Sequence, residues 1–444
     1  MTVPTAPAAS DKPTISASET TQQTQSAKQS RQSKQPQRKH DRLITRDMAL
    51  VMLATFCFMS SNMLANPIVA GYAESLGASG MLMGVVAGSM SFISLFCRPI
   101  AGNLSDKTSK RTLVAVGTVL YFAAGLLYYF ANSPTMLIMA RVINGVGFAC
   151  CSVCLATWMS LLLPIRHMGA GMGLYGTMNA LAMAVGPALG IRAQKYIGYR
   201  LTFLSSLVLA VIMLVSTLMV KNGGQSVRKK QTDNMTGSSP TMNGSVDENG
   251  TSHKRRFSIR SILEPRVVPL SLTFMMFAIA YFANQSFIMN YVETRHLPVS
   301  ADLFFMFYAV ALLVLRLGLR DLFDSKGFRF WLTVCSLGMV AMLACMTFLF
   351  NDWMLLLAAI FTAVGYGLMS SVTQAQAVVI AGRERSGIAN STYYAGIDLG
   401  MSAGPFVGGL VYGHLSAVWF YPVFMLTMPV AWLIYLLCVR RVSR

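Results

Sequence analysis

The sequence predicts an all-α polytopic membrane protein with twelve transmembrane helices in two pseudo-symmetric six-helix bundles. Three observations predict it. The composition is 54% hydrophobic and only 12% charged over 444 residues, a balance suited to lipid rather than water. The chain also divides into apolar runs of helix-spanning length at 48–70, 81–101, 112–131, 136–162, 169–191, 200–220, 267–291, 303–319, 330–350, 353–380, 387–412 and 418–438. A helix satisfies its own backbone hydrogen bonds in lipid, and the short alternating strands of a barrel do not occur. Finally, RPIAGNLSDKTSKR at 98–111 returns as RLGLRDLFDSKGFR at 316–329. Arg98 and Arg316, Leu104 and Leu322, Asp106 and Asp324, and Arg111 and Arg329 share an offset of 218. Gly186, Pro187 and Gly190 match Gly404, Pro405 and Gly408 at the same offset. A repeat of half the chain means two homologous halves. In membrane proteins that symmetry belongs to transporters, with the substrate site between the halves.

The expected organisation follows. Residues 1–46 are Ser-, Thr-, Gln- and Lys-rich, cannot bury enough apolar surface to fold, and are expected to be a disordered cytoplasmic tail. Residues 47–220 form the first bundle, 221–266 a Gly-, Ser- and Asn-rich cytoplasmic linker, 267–438 the second bundle, and 439–444 a cytoplasmic C-terminus.

The net charge of +19 points to orientation rather than to nucleic acid. With the N-terminus inside, every Lys and Arg except Arg141, Arg192, Lys195, Arg200 and Arg295 lies in the cytoplasmic segments. That bias places both termini in the cytoplasm of a multi-pass plasma-membrane protein. Nucleic-acid binding would need the charge on a soluble face. The eight cysteines sit in or beside apolar runs without metal-ligand spacing, as small buried hydrophobes. No metal, no cofactor and no enzyme activity is expected, because no nucleophile, metal set or paired carboxylates appear.

In chain order, the first span carries Asn62 and Asn66 four residues apart, on one face. They serve an interhelical hydrogen bond or touch substrate. Gly84 and Gly88 give the second span a small-residue face for close packing. Arg141 lies inside the fourth span, where a charge near the bilayer centre costs about 2.5–3.5 kcal/mol. It is either pinned to backbone carbonyls or part of proton and substrate coupling. Gly145 follows one turn later. The fifth span holds Tyr175 and Asn179, then Gly186, Pro187 and Gly190, where a bend or gate is expected. Tyr281, Asn284 and Gln285 cluster in the seventh span, and Gln374 follows a glycine-rich run in the tenth. The eleventh span holds Tyr393, Tyr394 and, about 16 Å in, Asp398. Among the 17 acidic residues Asp398 is placed deepest in the bilayer. An ionisable residue there is by default functional, and removal from water favours proton uptake by a carboxylate.

These motifs resemble the major facilitator superfamily over about 48–438. The family's loop between helices 2 and 3 is matched by Gly102, Leu104, Asp106, Lys107, Lys110 and Arg111, with Ser109 in place of the second glycine. The fourth helix resembles R-x-x-Q-G-x-G through Arg141, Gly145 and Gly147, with Asn144 for glutamine. Gly186, Pro187 and Gly190 resemble the G-P-x-x-G motif of drug:proton antiporters, with Ile191 in place of its final glycine. The first helix has no midmembrane acid of the kind many efflux members carry.

The resemblance implies a proton-coupled exporter of small amphipathic or cationic compounds that works by alternating access as a monomer in the bilayer. Asp398 and Arg141 would couple protons. Asn62, Tyr175, Asn179, Tyr281, Gln285 and Tyr394 would line the substrate cavity. Gly102, Asp106, Lys107, Arg111 and Asp324 would form the cytoplasmic gate, and Gly145, Gly186, Pro187, Gly190, Gly404 and Pro405 the helix bends. A nutrient importer of the same superfamily is the alternative. A non-transporting membrane sensor would need a signalling domain, which the tail and linker do not offer.

Overall fold

The computed structural model describes residues 45–163, 168–221, 263–319, 326–382 and 385–439. Residues 1–44 of the expected tail, most of the central linker, residues 320–325 with Asp324, and residues 440–444 lie outside these residues, as do the side chains of Asp106 and Lys107.

The described chain is helical. Helix α1 spans Arg46–Ser75, α2 Gly80–Lys107, α3 Lys110–Phe130, α4 Pro134–Leu162 and α5 Met168–Leu218. After the linker come α6 at Val268–Thr294, α7 at Ala301–Gly318, α8 at Phe328–Thr347, α9 at Asp352–Thr362, α10 at Met369–Ala381 and α11 at Ser386–His414. Shorter turns of helix cover Ala417–Trp419, Phe420–Met425, Thr427–Ile434 and Tyr435–Val439. Among the described residues, nine helical stretches are long and apolar enough to cross a membrane. One of them runs through α9, a π-helical turn at Ala363–Leu368 and α10 without a break.

Local chemistry sets several ends. Thr45 accepts a hydrogen bond from the Met48 amide at 3.3 Å, and Asp47 places negative charge at the positive end of α1. Ser133 caps α4 through the Met136 amide at 3.3 Å, with Pro134 in the first turn. Asn351 caps α9 through the Met354 amide at 2.9 Å. The fifth and sixth apolar runs form one helix, α5, interrupted by Gly198 at φ 75°, ψ 173°. A straight helix of 51 residues would be about 75 Å long, against a hydrocarbon core of about 30 Å. The break at Gly198 lets the chain reverse.

Helices α1 and α6 are buried along most of their length. The outward side chains of α3, the second arm of α5, α7 and α8 include Val119, Phe130, Val208, Val310, Val314 and Leu337. Such a surface belongs in lipid. Lipid removes the hydrophobic drive between helices, so close packing must hold them. The repeat shows how. A Cβ on Gly186 of α5 would lie 2.7 Å from the Cβ of Met63 and 2.9 Å from the Ser60 carbonyl oxygen of α1, and Gly190 meets Leu64. Its mate Gly404 on α11 would meet the Ile279 carbonyl oxygen of α6 at 2.5 Å, and Gly408 the Phe287 ring at 3.0 Å. The same glycines in each half thus seat the same pair of helices. Both helices continue through Pro187 and Pro405. Gly145 packs α4 on the Met90 carbonyl of α2.

Candidate functional site

The site grows from the contact between α2 and α11, one helix from each half. The helices run antiparallel. At the ends of α2 and α11 that lie away from Thr45, a Cβ on Gly80 would touch Gly413 at 2.5 Å, one on Gly84 would sit 2.6 Å from the Pro405 carbonyl oxygen, and one on Gly88 2.6 Å from that of Ser402. Each turn of one helix is matched by a turn of the other. Further along, Arg98 reaches Asp398. The Arg98 Nη2 donates to Asp398 Oδ1 at 2.9 Å, and its Nε closes on Oδ2. The Asp398 side chain is 2% exposed and that of Arg98 21%. The guanidinium also lies 5.6 Å from the Phe148 ring and 5.9 Å from the Tyr394 ring. Beyond the pair, a Cβ on Gly102 would meet nothing within 4 Å.

The halves also meet at the far ends of α1 and α6. Asn290 donates to Glu74, and Gln285 Nε2 lies 3.8 Å from Met63 Sδ. Gln285 Oε1 and both amide atoms of Asn62 are buried with no hydrogen-bond partner among the described residues. On one side of the Arg98–Asp398 pair the helices are thus in backbone contact, and on the other Gly102 faces open space.

Arg141 takes no part in that pair. Its Nη1 and Nη2 donate to Asn66 Oδ1 at 3.1 and 3.2 Å, its Nε donates to the Val86 carbonyl at 3.2 Å, and Nη2 also reaches the Ala87 carbonyl. It is buried inside the first half, where it ties α4 to α1 and α2. Arg141 is thus held by backbone carbonyls and Asn66, one of the two roles left open by the sequence. Asp398 meets Arg98, because α2 runs nine residues past Arg98 to Lys107 and draws that arginine into the bundle. The sequence signal was present: Arg98 and its mate Arg316 both lie inside apolar runs.

Around the pair stand aromatic residues. Tyr394 is 36% exposed and Tyr175 buried. Tyr175 lies within electrostatic reach of both Arg98 and Tyr394, and its carbonyl accepts from Asn179 Nδ2 at 3.2 Å. In the second half, Tyr281 stacks flat on Tyr366 with centroids 4.0 Å apart and rings 2° from parallel. Tyr308 lies 5.7 Å from Tyr281, and Phe274 stacks on Tyr366 and Tyr393. Tyr366 stands on the π-helical turn, a feature frequent at functional sites. Neither Tyr308 nor Tyr366 stood out in the sequence. At the expected gate, Arg111 donates to the Val220 carbonyl of its own half. Among the described residues no group of three or more His, Cys, Asp or Glu could hold a metal.

The sequence profile of the Major Facilitator Superfamily matches residues 51–352 and 327–444. The chain belongs to the major facilitator superfamily. An uncharacterized MFS-type transporter of Methanocaldococcus jannaschii is 22% identical over 381 residues, covering 84% of this chain and 92% of that protein. An SPX domain-containing membrane protein of Arabidopsis thaliana is 33% identical over 169 residues, but only 24% of that longer protein is covered. Among solved structures, a mutant peptide transporter POT in complex with alafosfalin aligns with a TM-score of 0.68 at 13% identity, covering 94% of this chain and 98% of that one. A mutant nucleoside transporter aligns with a TM-score of 0.69 at 11% identity, over 88% and 99%. These solved structures share the fold. As a member of this superfamily the protein is a multi-pass membrane transporter rather than an enzyme. In such a transporter the Arg98–Asp398 pair joins the two halves where the substrate path is expected.

Proposed function

We propose that the protein is a proton-coupled secondary transporter that exports small amphipathic compounds by alternating access, with Asp398 as the proton-binding group. The observation that carries this reading is the buried Arg98–Asp398 pair, formed between the two halves. With Asp398 ionised, the pair holds α2 to α11. A proton on Asp398 removes the attraction and frees the halves to rock. Loss of the proton on the other side lets the pair close again. An inward proton supplies about 2.3 kcal/mol per 100 mV of inside-negative potential.

The twelve apolar runs support twelve crossings, and the charge bias supports a plasma-membrane protein with its termini in the cytoplasm. In that orientation the glycine-packed side of the α2–α11 seam faces out. The G-P-x-x-G resemblance at Gly186, Pro187 and Gly190 supports export by the monomer. A cationic substrate would have to displace Arg98 from Asp398, whereas a neutral or anionic one would not.

The test is a transport screen in proteoliposomes with and without an imposed pH gradient, using ethidium, benzoate and a dipeptide as probes. The expected result is gradient-driven flux of at least one probe, reduced at least tenfold in Asp398→Asn, while exchange without a gradient persists. Full gradient-driven flux in Asp398→Asn overturns the coupling role. Accumulation of the probe by intact cells overturns export.

A further inference from the structure

The two halves treat equivalent positions unequally. The mate of the α2–α11 seam is the contact between α7 and α5, which also pack together. Arg98 on α2 corresponds to Arg316 on α7 at the offset of 218. On the partner helix, Asp398 corresponds to Ala180 and Tyr394 to Gly176. The α5 side of this seam therefore lacks both the carboxylate and the ring that hold Arg98. A Cβ on Gly176 would meet nothing within 4 Å, so space exists where Tyr394 stands in the other seam.

Arg316 has the character of a receptor for what is missing. It makes no ion pair and lies over no aromatic ring among the described residues. Its Nε is buried with no hydrogen-bond partner among them. Tyr308, Tyr366 and Tyr393 lie within electrostatic reach of the guanidinium. Arg316 is part-exposed, but burying a guanidinium N–H without a partner is costly. A planar guanidinium fork recognises a carboxylate by two parallel hydrogen bonds. The phenol rings add a flat apolar wall.

We infer that the α5–α7 seam binds an organic carboxylate with a planar apolar body, its carboxylate on Arg316 and its body in the space over Gly176 and Ala180. The substrate thus takes at Arg316 the place that Asp398 and Tyr394 take at Arg98. This inference rests on the transporter reading and names its substrate class.

Binding of benzoate to the full-length protein in detergent tests it without a proton gradient, so it fails independently of proton coupling. Benzoate should raise the thermal midpoint of the wild type in a saturable way, and tetraphenylphosphonium should not. Arg316→Gln should weaken benzoate binding at least tenfold. Ala180→Asp supplies the missing carboxylate; it should raise the thermal midpoint without ligand and abolish the response to benzoate. Equal benzoate binding in wild type and Arg316→Gln overturns the inference, as does undiminished benzoate binding in Ala180→Asp or a stronger response to tetraphenylphosphonium.

Discussion

Gly84 on α2 and Gly409 on α11 bring two helices from opposite halves into backbone contact: a Cβ on Gly84 would lie 2.9 Å from the Gly409 Cα. No side chain larger than hydrogen fits there without separating the helices. In lipid this approach replaces the hydrophobic drive, since dispersion and small residues must supply the attraction. The contact closes the seam on one side of the Arg98–Asp398 pair.

Widening that contact should shift the conformational balance. Gly84→Leu is expected to part the seam, because its side chain would meet the backbone of Pro405, Phe406 and Gly409. Hydrogen–deuterium exchange of the α2 and α11 amides around Gly84 and Gly409 should then be faster than in the wild type. Unchanged exchange in Gly84→Leu would show that the seam does not open to admit the side chain.

The Arg98–Asp398 pair should behave as a coupled unit. Removing one partner of a buried pair leaves an uncompensated charge and costs about 3–5 kcal/mol. The partial exposure of Arg98 puts Asp398→Asn at the lower end of that range and Arg98→Gln, which strands the more deeply buried carboxylate, at the upper end. The double variant should recover most of the lost thermal midpoint while gradient-driven transport stays absent. Additive losses in the double variant would mean that the pair is not the coupling contact.

Arg141 should matter for stability rather than for coupling. Its guanidinium is held by Asn66 and by two carbonyls of α2. Asn66→Ala leaves part of a buried charged donor unsatisfied, at an expected cost of about 1–3 kcal/mol. Thermal unfolding should register this loss, and the pH dependence of residual transport should match the wild type. A displaced pH profile in Asn66→Ala would return Arg141 to the coupling path.

Gly198 should tolerate no side chain. Its backbone at φ 75°, ψ 173° lies in a region that is essentially glycine-only. Nothing within 4 Å would touch an added Cβ, so the penalty is conformational rather than steric crowding. Gly198→Ala is expected to destabilise the protein by about 1–3 kcal/mol, read as a lower thermal midpoint with transport otherwise intact.

The helical architecture was legible because apolar length is nearly sufficient in lipid. The repeat was equally informative: it marked Gly186 and Gly404 as equivalent, and the structure uses them to seat α5 on α1 and α11 on α6. What the sequence concealed was rotation and reach. Asp398 could be placed in depth, but its partner lies 300 residues away on another helix, and spacing along the chain carries no bearing on that. Arg98 read as part of a charged turn because four basic residues follow each other closely there. The helix runs on beneath those charges to Lys107. Arg141 left two roles open, because its carbonyl partners lie on another helix, out of reach of spacing along the chain. The stack of Tyr281 on Tyr366 was hidden because it depends on the π-helical turn, which no local pattern announced.

The closed Arg98–Asp398 pair also has an electrical consequence. Two opposite charges bound together carry no net charge, so a rearrangement that moves them as one unit does no work against the transmembrane field. Once the carboxylate is neutralised, the Arg98 guanidinium moves alone, and each elementary charge carried across the full field is worth about 2.3 kcal/mol per 100 mV. Under the proposed proton coupling, voltage sensitivity belongs to the state in which the pair is broken.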